Sequence, residues 1–171
     1  MPNWAIHLIV PLLALLIVGR KEDHKYILLL LPLAVLPDID TFVIEHRALL
    51  HNIFIPAILF FIGLSIKKSR SIFFIAGVYF VSHVILDLFA GGVVLFYPVF
   101  NQMAFIDASL EISRTNQLLW TFDYGFNDYS EGWKIAQGYI SDSIGTGSMV
   151  IVLVAGIWAS YRNRMFGKED K

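Results

Sequence analysis

The sequence predicts an all-α polytopic membrane protein, and three features of its composition and patterning lead to this prediction. Hydrophobic residues make up 57% of the 171-residue chain and charged residues only 16%, whereas a soluble domain is about 45–50% apolar and about 25% charged. Long apolar stretches recur along the chain, and basic residues cluster between them. A chain this small has too little interior volume to hide so much apolar surface from water.

The predicted architecture is a single membrane-embedded helical domain, 1–171, with about five transmembrane helices and an outer loop cap at about 99–146. The helices are expected at about 4–19, 26–37, 48–66, 71–90 and 147–161. A spanning helix needs roughly 20 residues, with about 17 as a lower limit, so the third and fourth stretches qualify directly. The other three either extend into polar flanking residues or thin the bilayer around them. Gly91-Gly92 is expected to end the fourth helix.

Basic residues set the expected orientation, because cytoplasmic loops carry an excess of Lys and Arg. Three clusters of basic residues follow the first, third and fifth apolar stretches. If all five stretches cross the membrane, the three clusters lie on the same side of it. These residues are Arg20, Lys21, Lys25, Lys67, Lys68, Arg70, Arg162, Arg164, Lys168 and Lys171. The chain is therefore expected in the plasma (inner) membrane, with its N-terminus outside and its C-terminus in the cytoplasm. Because Arg20 and Lys21 follow the first stretch, we interpret it as a membrane helix and not as a cleaved signal peptide.

Net charge and cysteine content exclude several classes of function. A net charge of -1 leaves no broad basic face, which argues against a nucleic-acid partner. The chain has no cysteine, which excludes disulfides, thiolate metal sites and a cysteine nucleophile. Acidic and aromatic residues share the predicted outer loop, which is interpreted either as an ordinary interfacial loop or as a functional lid at the headgroups of a lipid bilayer. The sequence predicts no particular oligomeric state.

Ionisable residues within or beside the predicted membrane helices indicate a site, because such groups are costly in lipid. With the expected topology they all lie in the outer half of the membrane, although they come from four helices. They are His7, Asp38, Asp40, His46, Arg47, His51, His83 and Asp87. A lone histidine in an apolar helix is usually a packing residue, but a shared layer favours a metal site. His24 lies among charged residues and is interpreted as solvated.

The spacing of these residues favours a cation as the ligand. His83 and Asp87 are four residues apart, so they project from one helical face and can grip one ion, or form a hydrogen-bonded pair without metal. Pro37 breaks the preceding helix, so Asp38 and Asp40 are expected in a turn, either facing the same cavity or capping a helix. Imidazole and carboxylate ligands without thiolate suit zinc, manganese or iron.

The order of these motifs resembles the YdjM-like family of membrane-bound metal-dependent hydrolases. The resemblance covers roughly the first 100 residues. It is carried by His7, Leu36-Pro37-Asp38-Ile39-Asp40, His46-Arg47 with His51, Ser82-His83 with Asp87, Gly91-Gly92 and Tyr97-Pro98. That family is similar to zinc-dependent phospholipases C and related nucleases, which use His and Asp ligands.

The resemblance implies one or two zinc ions, with manganese or iron as alternatives. Asp38 or Asp40, together with His51, His83 and Asp87, would bind one ion. His7 with a shared Asp87 would bind a possible second. The family's pattern differs from this chain in that no histidine follows His83.

The preferred hypothesis is a membrane-embedded metal-dependent hydrolase that acts at the outer leaflet on a phosphoester of a lipid or lipid-linked phosphate. A divalent ion lowers the pKa of its water and polarises the bond that is attacked. Whichever of Asp38 and Asp40 is not a ligand would take the water's proton. Arg47 would hold an anionic group, and His46 beside it is assigned to the same catalytic group.

Two alternatives remain open. The first is an ion or metal transporter, since intramembrane His and Asp also form ion pathways. Against it, the inner halves of the predicted helices lack ionisable residues. The second is a non-catalytic membrane scaffold in which a structural metal site braces the helices.

Overall fold

The computed structural model describes residues 3–42, 47–112, 117–129 and 143–166. This part of the chain contains five α-helices, two β-strands and short 3₁₀ segments. The helices are α1 (Trp4–Val18), α2 (His24–Leu29), α3 (Phe54–Ser65), α4 (Arg70–Phe89) and α5 (Ser143–Phe166). The strands are β1 (Gln102–Ile112) and β2 (Leu118–Asp128), which pair as an antiparallel hairpin.

The prediction of an all-α polytopic membrane protein with about five transmembrane helices is wrong. A two-stranded sheet lies where an outer loop cap was expected, and within the described residues only Lys67–Phe89 is long and apolar enough to cross a bilayer. Helices α1 and α3 have 15 and 12 residues. At 1.5 Å per residue they reach about 22 and 18 Å, which is short of a hydrocarbon core of roughly 30 Å. The core helix of a soluble protein can be as long and as apolar as Lys67–Phe89, so these two properties do not show that the segment crosses a membrane.

Proline explains why the second apolar stretch does not form one helix. Helix α2 ends at Leu29, and Pro32 follows it within one turn. Proline has no amide N–H, and its ring clashes with the carbonyl four residues earlier in an α-helix. The chain continues as two 3₁₀ segments, Leu31–Ala34 and Leu36–Phe42. The second of these carries the Pro-Asp-Ile-Asp run, so a 3₁₀ segment stands where a turn after Pro37 was expected.

The main hydrophobic core lies between α1, α2 and α4. Its buried members are Leu12, Ile27, Leu31, Ala34, Ile75 and Tyr79. The Tyr79 hydroxyl donates to the main-chain oxygen of Ile27 at 2.7 Å, so this buried polar group is satisfied. Helix α3 packs on α4 where Gly77 admits the Phe60 ring, since a Cβ at Gly77 would lie 2.6 Å from a ring carbon.

A second, smaller core anchors the hairpin beside the turn that precedes α3. Ala48, Val94 and Met103 are buried there against one another. Val93 and Ala104 exchange two backbone hydrogen bonds of 2.9 Å each. The base of the hairpin is therefore fixed to the body of the protein, while most of the remaining hairpin is exposed.

Candidate metal centre

Four buried ionisable side chains from three parts of the chain converge at one point inside the protein. Asp38 lies on the 3₁₀ segment Leu36–Phe42, and His51 lies on the turn before α3. His83 and Asp87 lie one helical turn apart on α4. Between 0% and 5% of each residue is exposed. One ligand atom from each lies within 4.8 Å of the other three, so this four-ligand group could hold a metal ion.

The 3₁₀ segment directs two carboxylates inward. A 3₁₀-helix has three residues per turn, so Asp38 and Asp40 leave the backbone in directions separated by about 120°. Both side chains are buried, whereas the intervening Ile39 is 45% exposed. The two carboxylates therefore approach His51 from different sides.

The turn that carries His51 is held by a side-chain cap. The Asn52 side-chain oxygen accepts hydrogen bonds from the amides of Phe54 and Ile55, at 3.0 and 3.2 Å. Such a bond satisfies amides at the start of a helix that have no partner within it. For this reason α3 begins at Phe54 and not at about 48, and His51 is presented from a fixed turn.

The C-terminal end of α4, which carries Asp87, is closed by two glycines. Gly91 and Gly92 have φ values of 114° and 95°, a region that residues with a Cβ rarely adopt. The amides of Ala90 and Gly92 both donate to the carbonyl of Asp87 at 3.0 Å. This ending satisfies a carbonyl of the last turn and fixes the position of Asp87.

Arg47 is buried beside the same helix end. Its Nη1 donates to the carbonyl of Gly92 at 2.9 Å and its Nη2 to that of Ala90 at 3.2 Å. A cation beside the carbonyls at a helix C-terminus is favourable. Arg47 itself has a φ of 68°, and its carbonyl accepts from the amide of Val94 at 3.0 Å. Arg47 thus links the His51 turn to the end of α4, and its predicted role in holding an anionic group stays a prediction.

His51 and His83 each form a hydrogen bond through Nδ1, on the side of the ring that faces away from the four-ligand group. His51 Nδ1 lies 2.8 Å from Asp40 Oδ2, and His83 Nδ1 lies 2.7 Å from the main-chain oxygen of Ala34. Since these oxygens only accept, each neutral ring carries its proton on Nδ1, and the lone pair of Nε2 points into the group. Metal-binding histidines are oriented by such an outer partner.

Five of the six distances between the ligand atoms of this group are close to those of a tetrahedral site, and all four atoms lie within 4.8 Å of one another. Ligand atoms bonded to zinc at about 2.0–2.1 Å lie roughly 3.3 Å apart. His51 Nε2 is 3.1 Å from both His83 Nε2 and Asp87 Oδ2, and His83 Nε2 is 3.4 Å from the same oxygen. Asp38 Oδ1 lies 3.4 Å from His83 Nε2 and 3.6 Å from His51 Nε2.

The buried carboxylates of Asp38 and Asp87 require a positive charge close to them. Within the described residues, Asp38 Oδ1 and both carboxylate oxygens of Asp87 are buried without a hydrogen-bond partner, which is costly unless a cation is close. Burial lowers the pKa of His51, but Asp38, Asp40 and Asp87 more than offset it and raise the pKa to about 10. Burial raises the pKa of Asp38, but His51 and His83 hold it well below its usual range. A divalent cation bound by this group would therefore compete with a proton on His51.

His7 lies against the four-ligand group without belonging to it. Its ring stacks on His83, with centroids 4.0 Å apart and planes 20° apart. Its Nε2 is 3.4 Å from Asp87 Oδ1, so Asp87 turns one oxygen to the group and the other to His7. Burial lowers the pKa of His7 more than Asp87 raises it, which keeps the ring neutral. A role for His7 as ligand of a second ion stays a prediction.

Asp40, unlike Asp38, is not a member of the four-ligand group. Asp40, expected as ligand or base, lies behind the His51 ring, and its Oδ2 also accepts from the amide of Leu50 at 3.3 Å. His46 lies outside the described residues. Two partners that sequence reasoning missed are the carbonyl of Ala34 and the cap at Asn52, because neither forms part of a recognisable motif.

Comparisons with models of protein families, with curated proteins and with solved structures find no match for this chain.

Proposed function

We propose that this chain is a metal-dependent hydrolase whose metal is held by His51, His83 and Asp87, with Asp38 beside the fourth position, where a water would bind. The observation that carries the proposal is the convergence of two imidazole Nε2 atoms and two carboxylates within 4.8 Å of one another, with both Nδ1 atoms held by hydrogen bonds on the far side of the rings. Structural zinc sites mostly use cysteine, whereas catalytic sites combine histidine with a carboxylate. The ligand set therefore favours a catalytic ion.

Zinc is the metal we propose, with manganese or iron as alternatives. Two imidazoles and two carboxylates without thiolate match the ligands of zinc and of non-haem iron, and manganese also accepts carboxylates. The separations of 3.1, 3.1 and 3.4 Å among His51 Nε2, His83 Nε2 and Asp87 Oδ2 support a small ion bound by these three atoms.

In the proposed reaction, the oxygen of a water attacks the phosphorus of a phosphoester and the bond to the leaving alkoxide breaks. A divalent ion lowers the pKa of such a water and polarises the bond that is attacked. Asp38 is proposed to take the proton and pass it to the leaving alkoxide. Among the four ligand residues Asp38 is the most exposed, at 5%, and its Oδ1 is at 3.6 Å from His51 Nε2. Asp40 positions His51 and takes no part in proton transfer.

A lipid or a lipid-linked phosphate is the proposed substrate. Large apolar side chains are exposed on three helices, such as Val18 on α1 at 84%, Phe61 on α3 at 71% and Ile151 on α5 at 70%. Contiguous exposed apolar surface is typical of contact with lipid or with protein partners. The phosphoester itself is proposed from the resemblance to the YdjM-like family. Membrane localisation and orientation likewise stay predictions.

The proposal is tested by metal analysis of the purified full chain together with turnover of a phosphodiester and of phosphatidylcholine. Wild-type protein should carry near-stoichiometric metal and hydrolyse a substrate. His83→Ala and Asp87→Asn should lose both properties. His24→Ala, which removes a histidine far from the four-ligand group, should keep both. Wild-type protein without metal under metal-replete conditions would refute the proposal.

The second candidate is a non-catalytic scaffold in which the ion braces the fold. The observation that favours it is burial, because His51 and Asp87 are 0% exposed and a structural site keeps no open position for water. Asp38→Asn separates the two candidates. A hydrolase should keep its metal and lose turnover in this variant. If the protein is a scaffold, even the metal-loaded wild-type protein should hydrolyse neither substrate.

A further inference from the structure

One face of the β-hairpin is apolar except for Gln102 and Asp128 at its base, and the other face carries most of the hairpin's polar residues. In the observed register each cross-strand pair joins two even-numbered or two odd-numbered residues, such as Leu110 with Trp120 and Asp107 with Asp123. Alternate residues of a strand point to opposite faces, and directly paired residues share a face. All even-numbered residues from 104 to 112 and from 118 to 126 are apolar or aromatic. We call these residues the aromatic face.

The aromatic face is exposed along most of its length. On β2 the exposed fractions are 76% for Trp120, 69% for Phe122, 71% for Tyr124 and 54% for Phe126. At the far end of β1, Ile112 is 73% exposed. No described residue of the protein covers these side chains. An exposed apolar patch of this kind is typical of an interaction site.

The opposite face is suited to water. It carries the carboxylates of Asp107, Glu111 and Asp123, and Ser109 and Thr121 share a hydrogen bond across the strands. Asp107 and Asp123 are directly opposite, and like charges in that position are tolerable only where water screens them. One face of the hairpin therefore has to stay solvated, whatever covers the other.

We propose that the aromatic face inserts into the interfacial layer of a lipid bilayer. Trp and Tyr are enriched at that depth because their rings are apolar and their N–H or O–H groups still reach water. The charges complement this partner, since the aromatic face carries none between its base at Asp128 and its far end, and the carboxylates of Asp107, Glu111 and Asp123 point away from it. The two strands contain no Lys or Arg, so the partner is a zwitterionic surface and not an anionic one.

The distribution of exposed apolar side chains favours lipid over a second copy of the chain. The aromatic face continues past the strands, because Phe126 contacts Phe100 edge to face with ring centroids 5.7 Å apart, and the neighbouring Val99 is 81% exposed. Exposed apolar residues also lie on α1, α3 and α5. A symmetric contact with a second copy of the chain would cover one apolar patch, whereas the surface of a bilayer can cover several patches at once.

The test uses the absence of cysteine, which makes a single introduced thiol the only labelling site. A nitrobenzoxadiazole dye is attached to Leu118→Cys and to Leu119→Cys, and in a second matched pair to Trp120→Cys and to Thr121→Cys. The full chain is reconstituted with phosphatidylcholine vesicles that contain doxyl-labelled lipid. Positions 118 and 120 should be quenched several-fold more strongly than 119 and 121, and aqueous iodide should show the reverse pattern.

Three outcomes would overturn the proposal. One is equal quenching by iodide at all four positions, which would place both faces in water. Another is that neither doxyl lipid nor iodide quenches the dye at positions 118 and 120, and that this protection increases with protein concentration. That result would mean that a second copy of the chain covers the aromatic face. The third is stronger binding to anionic than to zwitterionic vesicles. The inference does not rest on the proposed hydrolase, because the quenching experiment requires neither metal nor turnover.

Discussion

At the residue scale, the orientation of two histidine rings determines what the four-ligand group can bind. His51 and His83 are each held through Nδ1, by the Asp40 carboxylate and by the carbonyl of Ala34. Their Nε2 atoms meet at 3.1 Å, a distance at which two lone pairs repel unless a proton or a metal ion lies close by. Asp40 therefore matters to the site although it does not belong to the four ligands.

Replacing Asp40 with alanine should weaken metal binding about 10- to 100-fold, the usual effect of losing an outer partner of a ligand histidine. Asp40→Asn should weaken it less, because the amide oxygen still accepts the Nδ1 proton of His51. A competition titration against a chelator measures both variants. Asp107→Ala, on the solvated face of the hairpin, serves as control, and unchanged affinity in Asp40→Ala would contradict the assignment.

Metal affinity should rise with pH. The pKa of His51 is raised to about 10, so below that pH the ion has to displace a proton from the ring. Each displaced proton changes the apparent affinity by roughly tenfold per pH unit. Titrations between pH 6 and 8 should therefore show tighter binding at the higher pH, with proton release detectable in weakly buffered solution. Affinity that is independent of pH would mean that His51 is not a ligand.

At the element scale, the end of α4 and the His51 turn behave as one unit. Arg47 donates to the carbonyls of Ala90 and Gly92, and its own carbonyl accepts from Val94. The turn that carries His51 and the helix that carries Asp87 are thereby joined by hydrogen bonds that need no metal ion. The two glycines after α4 allow the chain to make this contact.

Gly92→Ala should destabilise the protein, and Gly147→Ala should not. Gly92 has a φ of 95°, and a Cβ there would lie 2.6 Å from the carbonyl oxygen of Ala104. The strained backbone alone costs of order 1–3 kcal/mol. Gly147 lies in α5, where an added Cβ would meet no atom within 4 Å, so alanine should stabilise the protein by about 0.5–1 kcal/mol. Chemical denaturation of both variants measures the difference, and equal effects would contradict the role given to Gly92.

At the scale of the whole molecule, a bound ion would join three segments that are far apart in sequence. These are the 3₁₀ segment of Asp38, the turn of His51 and helix α4, and the main core packs directly behind them. A ligand that binds only the folded state stabilises it in proportion to the logarithm of its concentration. The metal site and the fold should therefore depend on each other.

Removing the metal with a chelator should lower the melting temperature. Metal at about 100 times its Kd contributes about 2.7 kcal/mol, which corresponds to roughly 5–10 °C for a chain of this size. Asp87→Asn should abolish the response to added metal, and His24→Ala should retain it. Differential scanning fluorimetry with and without zinc measures the shift, and a wild-type melting temperature that does not respond to metal would contradict this expectation.

Much of the candidate site could be predicted, and much of the fold could not. The i, i+4 spacing of His83 and Asp87 and the proline in the Pro-Asp-Ile-Asp run are local features, and helix and turn geometry follow from them directly. The hairpin escaped prediction because its alternation of apolar and polar residues was interpreted as a mixed interfacial loop. The predicted number of membrane spans is too high, because α1 and α3 have only 15 and 12 residues and the second apolar stretch is interrupted at Pro32.

The residue types alone determined that imidazole and carboxylate are the candidate ligands and that cysteine is not, because the chain contains no thiol and few other ionisable groups within its apolar stretches. Only the tertiary structure decided that Asp38 faces the other ligands while Asp40 lies behind His51, and that Arg47 donates to main-chain carbonyls. These assignments depend on the direction in which each side chain leaves a 3₁₀ segment or a turn. That direction is set by packing and by hydrogen bonds to distant backbone atoms, which leave no pattern in the sequence.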